Sequence, residues 1–321
     1  MRLAWPFKSR KGDDRNGEHG CAFAADPRPD FLCVGAQKAG TSWLYQQLSE
    51  HPDFWMPPLK ELHYFNQLSR IPPVASARRR DKRDHHFLES LNRLSARSHL
   101  DLDEYARLFA PKGSLLSGDI TPAYSMLNDE VIERIVSRFP NLKVIFLARD
   151  PVERAWSQLS MGVRLRNISP FNTTEVHDVI RNLLDPGVLL RSHPSKAVAR
   201  WKRYVRPELF RVYFFDDLES NPAELRRSIV LFLGGDPNKP NGWLKAHQNS
   251  NVGREKPRLT AKVRSPIAEF FEQELKACAK ELGGPARHWP ARYGFSIVCL
   301  FWQLADYFDL FVWLDLDCLK P

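Results

Sequence analysis

The segment FLCVGAQKAGTSWLYQQL, residues 31 to 48, decides how the rest of the chain is interpreted. Its apolar start, FLCVG, is typical of a short buried strand, and TSWLYQQLSEH (41 to 51) begins with hydroxyl residues followed by helix formers. Between them lies a loop that contains Gly35 and Gly40. A glycine loop that leads into a helix presents backbone amides and the positive end of the helix dipole, and both attract phosphate. The segment therefore predicts a strand, an anion-binding loop and a helix in succession.

The lysine of this loop does not stand where an ATP-binding loop has it. In the pattern GxxxxGK[ST] a lysine follows the second glycine, whereas here Thr41 takes that position and Lys38 lies inside the loop. A lysine in the loop would reach a bound anion from another direction. Because a tight structural turn would use the same glycines, the choice between the two interpretations depends on motifs elsewhere in the chain.

Apolar runs and helical patterns alternate along the rest of the chain. Strands are predicted at residues 114 to 119, 142 to 149 and 210 to 218, and helices at residues 129 to 139, 151 to 164, 221 to 234 and 265 to 282. This alternation predicts an α/β fold with three αβα layers, in which helices cover both faces of a central parallel β-sheet.

Composition narrows the possible partners and compartments. The chain has 321 residues, 43% of them hydrophobic, and a formal net charge of +9, which favours an anionic ligand without identifying it. Its five cysteines show no CxxC spacing, so neither a disulfide framework nor a zinc site is indicated. The first 20 residues lack the apolar run of a secretory signal. We expect a cytoplasmic protein.

The chain divides into three parts by composition. Residues 1–29 are rich in glycine, proline and charge, and they predict a flexible basic arm. Residues 30–292 form the predicted catalytic domain, in which the basic stretch 66–100 is interpreted as an insertion loop. Residues 293–321 form a hydrophobic segment whose part 295–314 carries acidic residues on one helical face. Packing on the domain or on a second copy is favoured for it, and peripheral contact with a membrane is the alternative.

A second candidate anion site lies in the segment FLARDPVERAWSQL. Arg149 ends an apolar strand, and Pro151 is well placed to begin a helix that would carry Ser157. Both side chains would then approach the carboxyl edge of the sheet, where open α/β folds bind ligands. They suit a second, separate phosphate. An ion pair between Arg149 and Asp150, with Ser157 on the surface, is the structural alternative.

A third cluster, PPLKELHYFN at residues 57 to 66, follows the first predicted helix. It places Lys60, Glu61 and His63 close together. A carboxylate within hydrogen-bond reach of an acceptor hydroxyl can remove its proton. Each of these residues is also common on ordinary protein surfaces.

Together these motifs resemble those of the sulfotransferases that use 3′-phosphoadenosine 5′-phosphosulfate (PAPS), over roughly residues 30 to 290. VGAQKAGTSWL resembles the 5′-phosphosulfate loop of that family and RDPVERAWSQ its 3′-phosphate element, while KELHYF and GDITPAYS resemble the bacterial and the heparan-sulfate glucosaminyl 3-O-sulfotransferases. The resemblance implies a P-loop-like fold, PAPS as the cofactor with no metal ion, and a carbohydrate or small-molecule acceptor rather than a nucleic acid.

The resemblance also assigns roles to individual residues. Lys38, Glu61 and His63 are implied as catalytic, with Glu61 as the general base, and Lys60, His63 and Asn66 as contacts of the acceptor. The implied cofactor-binding residues are Lys38, Ala39, Gly40, Thr41, Ser42, Trp43, Arg149, Ser157, Gly253 and Arg254, the last two from the segment NSNVGREKP.

Two positions depart from the heparan-type pattern. Asn66 stands where those enzymes usually have an aspartate, and Ile120 stands where they have a lysine. The interpretation as a transferase does not depend on either position, but the expected identity of the acceptor does. Two other functions remain open at this point: an ATP-dependent kinase, and a non-catalytic protein that binds anions or nucleic acid.

Overall fold

The structure is a computed structural model that describes residues 27–66, 82–165, 172, 174–239, 246 and 258–296. Several sequence predictions lie outside these ranges. They concern Gly253 and Arg254, almost all of the N-terminal arm, and nearly the whole of the hydrophobic segment 295–314.

A parallel sheet of four strands forms the centre of the described fold, in the order β2-β1-β3-β4. The strands are β1 (Phe31–Gly35), β2 (Gly118–Ile120), β3 (Lys143–Ala148) and β4 (Phe210–Phe214). All three pairings between neighbouring strands are parallel, with Phe31 opposite both Gly118 and Lys143. β1 is buried over its whole length, as expected for a strand that has helices on both faces.

The helices fill the connections between strands and follow the last one. They are α1 (Thr41–Ser49), α2 (Lys82–Ser95), α3 (Leu102–Arg107), α4 (Asp129–Arg138), α5 (Pro151–Arg164), α6 (Val176–Leu183), α7 (Pro186–Leu189), α8 (Pro194–Lys202), α9 (Phe215–Ser220), α10 (Pro222–Leu233), α11 (Ala261–Phe270) and α12 (Glu272–Leu282). The predicted α/β class with a parallel central sheet is confirmed.

The strand order places a ligand crevice between β1 and β3. From β1 the chain goes to β2 on one side, and it then crosses to β3 on the other side of β1. Connections leave the carboxyl ends of β1 and β3 in opposite directions, which opens a crevice at that edge of the sheet. The loop with Lys38 follows β1 and Arg149 follows β3, so both predicted anion-binding motifs begin at this crevice.

Three predicted elements have other boundaries in the structure. The strand predicted at 114 to 119 is the shorter β2, and the strand predicted at 210 to 218 ends at Phe214, where α9 begins. The helix predicted at 265 to 282 is two helices, because Phe271 leaves the helical conformation and buries its ring.

The stretch 66–100 is not simply a loop. Its described part contains α2, which buries Phe87 and Leu91 in the core. The amphipathic pattern of α2 begins after the basic residues at the start of this stretch, and the prediction of a loop was based on those basic residues. The short segment 67–81 lies outside the described residues.

Candidate active site

The loop after β1 leads into α1 through Gly40, which has a left-handed backbone (φ 97°). A Cβ atom at this position would lie 2.7 Å from the Leu218 Cδ2 atom, so both the conformation and the space require glycine. Gly40 provides no side chain to cap the helix. The first amides of α1, those of Thr41, Ser42 and Trp43, therefore remain available at the positive end of the helix dipole.

Three predicted cofactor residues, in the loop and at the start of α1, have buried side chains. Ala39 is buried, and the Trp43 indole is buried while its Nε1 donates to the Ala246 carbonyl at 2.7 Å. Thr41 is also buried and Ser42 is half-buried. The Ala39 amide already donates to the Ala36 carbonyl at 3.2 Å, whereas Trp43 can offer a ligand its backbone amide while its indole fixes α1 against a distant part of the chain.

Lys38 connects the loop to the helix that carries the second motif. Its backbone is left-handed (φ 73°), and its Nζ lies 3.4 Å from the Met161 Sδ atom of α5. The Arg149 guanidinium donates from Nη1 to the Lys38 carbonyl at 2.9 Å. The two motifs that the sequence separates by more than 100 residues are thus in direct contact.

Arg149 is held by a ring and a carboxylate as well. Its guanidinium lies 4.1 Å from the centre of the Phe215 ring, and its Nη2 lies 3.9 Å from the Glu153 carboxylate. Burial lowers the pKa of Arg149 from its usual value. The alternative pairing with Asp150 is not formed, because Asp150 caps α5 at the Val152 amide and accepts a hydrogen bond from Tyr293 at 2.9 Å.

Arg149 and Ser157 line one cavity of about 510 Å³ between α5 and the segment around the start of α11. Cavities that bind nucleotide-sized ligands have volumes of this order. The other lining residues are Glu153, Trp156, Ser160, Arg258, Leu259, Thr260 and Arg264. The cavity therefore combines the predicted phosphate residues with two arginines and two hydroxyl residues that were not predicted.

Ser160 could have been found from the sequence, because it lies three residues after Ser157 and so on the same helix face. Its buried Oγ atom has no hydrogen-bond partner within the described part of the chain, and neither has the buried Arg149 Nε. The Arg264 Nη2 atom lies 4.0 Å from the Glu153 carboxylate of α5. Arg258 and Arg264 come close to α5 only in the folded chain, and no sequence motif predicted that they would.

Glu61 is the centre of a second charged cluster. The Lys60 ammonium pairs with Glu61 Oε1, and His63 Nε2 lies 3.4 Å from Glu61 Oε2. Burial would raise the pKa of Glu61, but the hydrogen bond with His63 and the charge of Lys60 outweigh it and lower this pKa to about 2. The hydrogen bond to Glu61 in turn raises the pKa of His63. Glu61 is therefore a carboxylate at neutral pH, and it is partly exposed.

The backbone of this cluster is strained. Glu61 (φ 66°) and His63 (φ 57°) both adopt the left-handed region, which residues with a side chain rarely occupy. The His63 Nδ1 atom lies 3.3 Å from the Asn66 amide oxygen, so Asn66 is a neighbour of the predicted catalytic pair. Strain of this kind is retained where surrounding contacts enforce it, and it is frequent at functional sites.

Cys33 of β1 is linked to the Glu61 cluster through Thr121. The His63 amide donates to the Thr121 hydroxyl at 3.4 Å, and the Thr121 amide donates to the Cys33 carbonyl at 3.1 Å. Burial raises the pKa of the Cys33 thiol to about 12. The Glu61 cluster is thus joined to the strand from which the Lys38 loop leaves.

The described residues contain no group of three or more His, Cys, Asp or Glu side chains arranged to hold a metal ion. No helix among them combines the length and the apolar character needed to cross a membrane.

Comparison with known proteins identifies the family. The profile of the Sulfotransferase family matches residues 29–237, which is well over half of the chain. The membrane-associated sulfotransferase kil1 of Dictyostelium discoideum is 31% identical over a region that covers 44% of this chain and 25% of that protein. The bifunctional heparan sulfate N-deacetylase/N-sulfotransferase 2 of Bos taurus is 23% identical over 82% of this chain and 31% of that protein.

The matched regions span less than a third of the length of these curated relatives. Among solved structures, a sulfotransferase from Alicyclobacillus acidocaldarius superposes with a TM-score of 0.58 at 23% identity, covering 82% of this chain and 98% of that one. This likeness shows the fold. The profile match, the shared fold and the crevice geometry agree, and the chain belongs to the Sulfotransferase family.

Proposed function

We propose that the protein transfers a sulfuryl group from PAPS to a hydroxyl or amine of a carbohydrate or small-molecule acceptor. The observation that carries the proposal is the contact between the two anion-binding motifs. Arg149 donates to the Lys38 carbonyl of the loop, and together with Ser157 it lines a cavity of about 510 Å³. A ligand with two separated phosphate groups fits such a pair of sites.

The residues present fit PAPS on two counts. The uncapped amides at the start of α1 suit the 5′-phosphosulfate, and the glycine at position 40 leaves the backbone open to it. The buried Arg149 Nε and Ser160 Oγ lack partners among the described residues, and both belong to residues that line the cavity. Buried polar atoms are normally hydrogen-bonded, so partners on a 3′-phosphate or ribose would satisfy them.

When bound, PAPS would supply the sulfuryl group that is transferred in line to the acceptor. The amides of Thr41 and Ser42 would hold the 5′-phosphate, and Lys38 would offset the charge that grows on the bridging oxygen as the old sulfur–oxygen bond breaks. Donors fixed in advance at a point where charge develops are the largest electrostatic contribution to many transfer reactions.

Glu61 would take the proton that the acceptor loses as its new bond to sulfur forms. A carboxylate with a pKa of about 2 is ionised at neutral pH, which is the state that a general base requires. His63 and Asn66 would hold the acceptor beside it, and Lys60 would contact both Glu61 and the acceptor. In this proposal ionised Glu61 acts on the acceptor, whereas the loop with Lys38 acts on the leaving phosphate.

The acceptor and the location of the protein form the finer part of the proposal. The relatives include a heparan sulfate N-sulfotransferase and a membrane-associated sulfotransferase, which supports a carbohydrate acceptor and a peripheral contact with a membrane. We propose a cytoplasmic enzyme without a metal ion or nucleic-acid partner, in which residues 295–314 serve as the membrane or dimer contact.

Calorimetric titration with adenosine 3′,5′-bisphosphate, ADP, and ATP with magnesium tests the proposal. We expect tight binding of the bisphosphate alone, because ADP and ATP carry no 3′-phosphate for Arg149 and Ser157. Binding of ATP without binding of the bisphosphate would overturn the proposal and favour a kinase. A salt-sensitive affinity for nucleic acid without sulfuryl transfer would favour an anion-binding protein instead.

A further inference from the structure

A buried carboxylate beneath the Glu61 cluster has no part in the function proposed so far. Asp119 lies in β2 and is 1% exposed. It accepts hydrogen bonds from the Thr121 hydroxyl at 2.6 Å, from the Tyr124 hydroxyl at 2.7 Å and from the Tyr105 hydroxyl at 3.1 Å. A buried polar group with so many donors forms a rigid network.

This network reaches the backbone of the Glu61 cluster at His63. The Thr121 hydroxyl, which donates to Asp119, accepts a hydrogen bond from the His63 backbone amide at 3.4 Å. Burial raises the pKa of Asp119, and these hydroxyl donors oppose the rise. Thr121 is in turn fixed to the sheet, because its amide donates to the Cys33 carbonyl of β1 at 3.1 Å.

The anchored amide lies within the strained part of the chain. Glu61 and His63 have left-handed backbones, and Leu62 lies between them with its side chain buried. An unrestrained segment would relax from such φ values, and Glu61 would then change its direction. Anchoring of the His63 amide opposes that relaxation.

We propose that Asp119 and Thr121 are positioning residues that hold Glu61 toward the acceptor through the backbone of His63. The role in turnover rests on the proposed sulfuryl transfer, whereas the anchoring itself does not. Both residues are buried. Their effect is on the geometry of the general base.

The first test replaces Thr121 with valine, which keeps the shape and removes the hydroxyl. We expect kcat to fall by about 10-fold to 100-fold, the loss that a displacement of about 1 Å causes at a reacting centre. The affinity for adenosine 3′,5′-bisphosphate should not change. The variant Thr121→Ser retains the hydroxyl and should recover most of kcat.

Ser125→Ala is the matched control. It removes another buried hydroxyl of the same short segment, one that donates to the Pro122 carbonyl and does not touch the Glu61 cluster. A pure loss of stability would affect both variants alike, whereas the proposal predicts a fall in kcat for Thr121→Val alone. Equal kcat values for Thr121→Val and the unmodified chain would overturn it.

Hydrogen exchange on the unmodified protein tests the anchoring without any variant or activity. The amide of His63 should exchange slowly although it lies outside helices and strands, because the buried Thr121 hydroxyl holds it. Exchange at the rate of an open loop would overturn the proposal. If the bisphosphate failed to bind while this amide stayed protected, the function proposed above would fail and the anchoring would stand.

Discussion

Arg149 is held in place before any ligand binds. A carbonyl, an aromatic ring and a carboxylate contact its guanidinium, while its Nε atom has no partner among the described residues. An arginine already held in place loses less conformational entropy when it binds phosphate. In the proposed function its rigid fork would thus serve both structure and binding.

Replacement of Arg149 by lysine should therefore weaken binding even though the charge remains. Lysine cannot reproduce the planar stacking on Phe215 together with the bond to the Lys38 carbonyl. We expect the Kd for adenosine 3′,5′-bisphosphate to rise by about 10-fold or more, since hydrogen bonds to charged groups contribute about 1.5 to 3 kcal/mol. Calorimetry would measure this, with the exposed Arg138→Lys as the control. An unchanged Kd would remove Arg149 from the site.

Glu61→Gln should separate binding from turnover. We expect kcat to fall by about 10² to 10⁴, the usual contribution of a general base, and the affinity for the bisphosphate to be retained. Because the pKa of Glu61 is lowered to about 2, the base is present at all higher pH values and is lost only as the pH falls toward 2. The activity of the unmodified protein should therefore not decline through protonation of Glu61 between pH 8 and pH 5.

The His63 ring provides a second readout of the same variant. Its pKa is raised chiefly by the hydrogen bond to Glu61, so loss of that carboxylate should lower it. Because the pKa of His63 is raised in the folded state, the pairing of protonated His63 with Glu61 stabilises the fold below the ordinary pKa of histidine. This stabilisation of the fold is lost as the pH rises through the raised pKa. NMR titration of His63 would detect the change, and an unshifted His63 would show that the pair is not formed in solution.

The sequence predicted those site residues that lie in contiguous motifs. Lys38, Arg149, Ser157 and Glu61 each stand at a strand end, a helix start or a charged cluster, and these features can be recognised locally. The roles of these residues remain predictions until binding and turnover are measured. Arg258 and Arg264 could not be predicted, because their position near α5 depends on how α11 packs against it.

At the scale of elements, the start of α5 depends on a residue far along the chain. Asp150 caps this helix and receives the Tyr293 hydroxyl, while Arg292 lies 3.6 Å from it. Burial raises the pKa of Asp150 to about 6, although its hydrogen bonds act in the opposite direction. The segment that ends the described domain thus supports the residue next to Arg149.

Tyr293→Phe should destabilise the fold in a pH-dependent manner. The folded pKa of Asp150 lies above its ordinary value of 3.8, so its contribution to stability is most favourable at low pH and declines as the pH rises through about 6. Loss of the tyrosine donor leaves ionised Asp150 less satisfied, at a cost of about 1 to 3 kcal/mol.

Thermal unfolding at pH 5 and pH 8 would measure this effect. The fall in Tm should be larger at pH 8, where Asp150 is ionised. Tyr213→Phe, which removes an exposed hydroxyl bonded to the Ser228 carbonyl, is the control and should show no such difference. A fall in Tm that is equal at both pH values would contradict the role assigned to Asp150.

Element boundaries explain most of the wrong sequence predictions. Local propensity continued the strand at Phe214 into FDDL, but α9 begins there and carries the Phe215 ring to Arg149. Helix α2 was missed because charge dominates its first turn, whereas Phe87 and Leu91 bury its other face. In both cases tertiary packing outweighed the local pattern.

For the whole molecule, the sequence predicted a parallel sheet without its strand order. The order β2-β1-β3-β4 follows from pairings between residues more than 60 positions apart, such as Phe31 with Gly118 and with Lys143. The hydrophobic pattern within one strand contains no information about which strand pairs with it. The crevice could therefore be expected from the fold class, but its members had to be read from the structure.

A fragment that ends at residue 237, where the family profile ends, should not form the site. It would lack Arg258 and Arg264 of the cavity and the buried Trp289 and Leu275 of the core. We expect no cooperative thermal transition and no binding of the bisphosphate, whereas residues 27–296 should show both. Equal binding by the two fragments would refute the assignment of the cavity.

The strand order has a consequence for how such a protein can diversify. The proposed acceptor residues Lys60, Glu61 and His63 are anchored on the β2 side of β1, and the proposed 3′-phosphate residues come from β3 and α5 on the other side. The two sets of residues thus belong to different elements, and substitutions at separate sites without shared partners act independently. One lineage could therefore exchange acceptors repeatedly while it inherits the same donor site, and gene duplication would yield new specificities without a new fold.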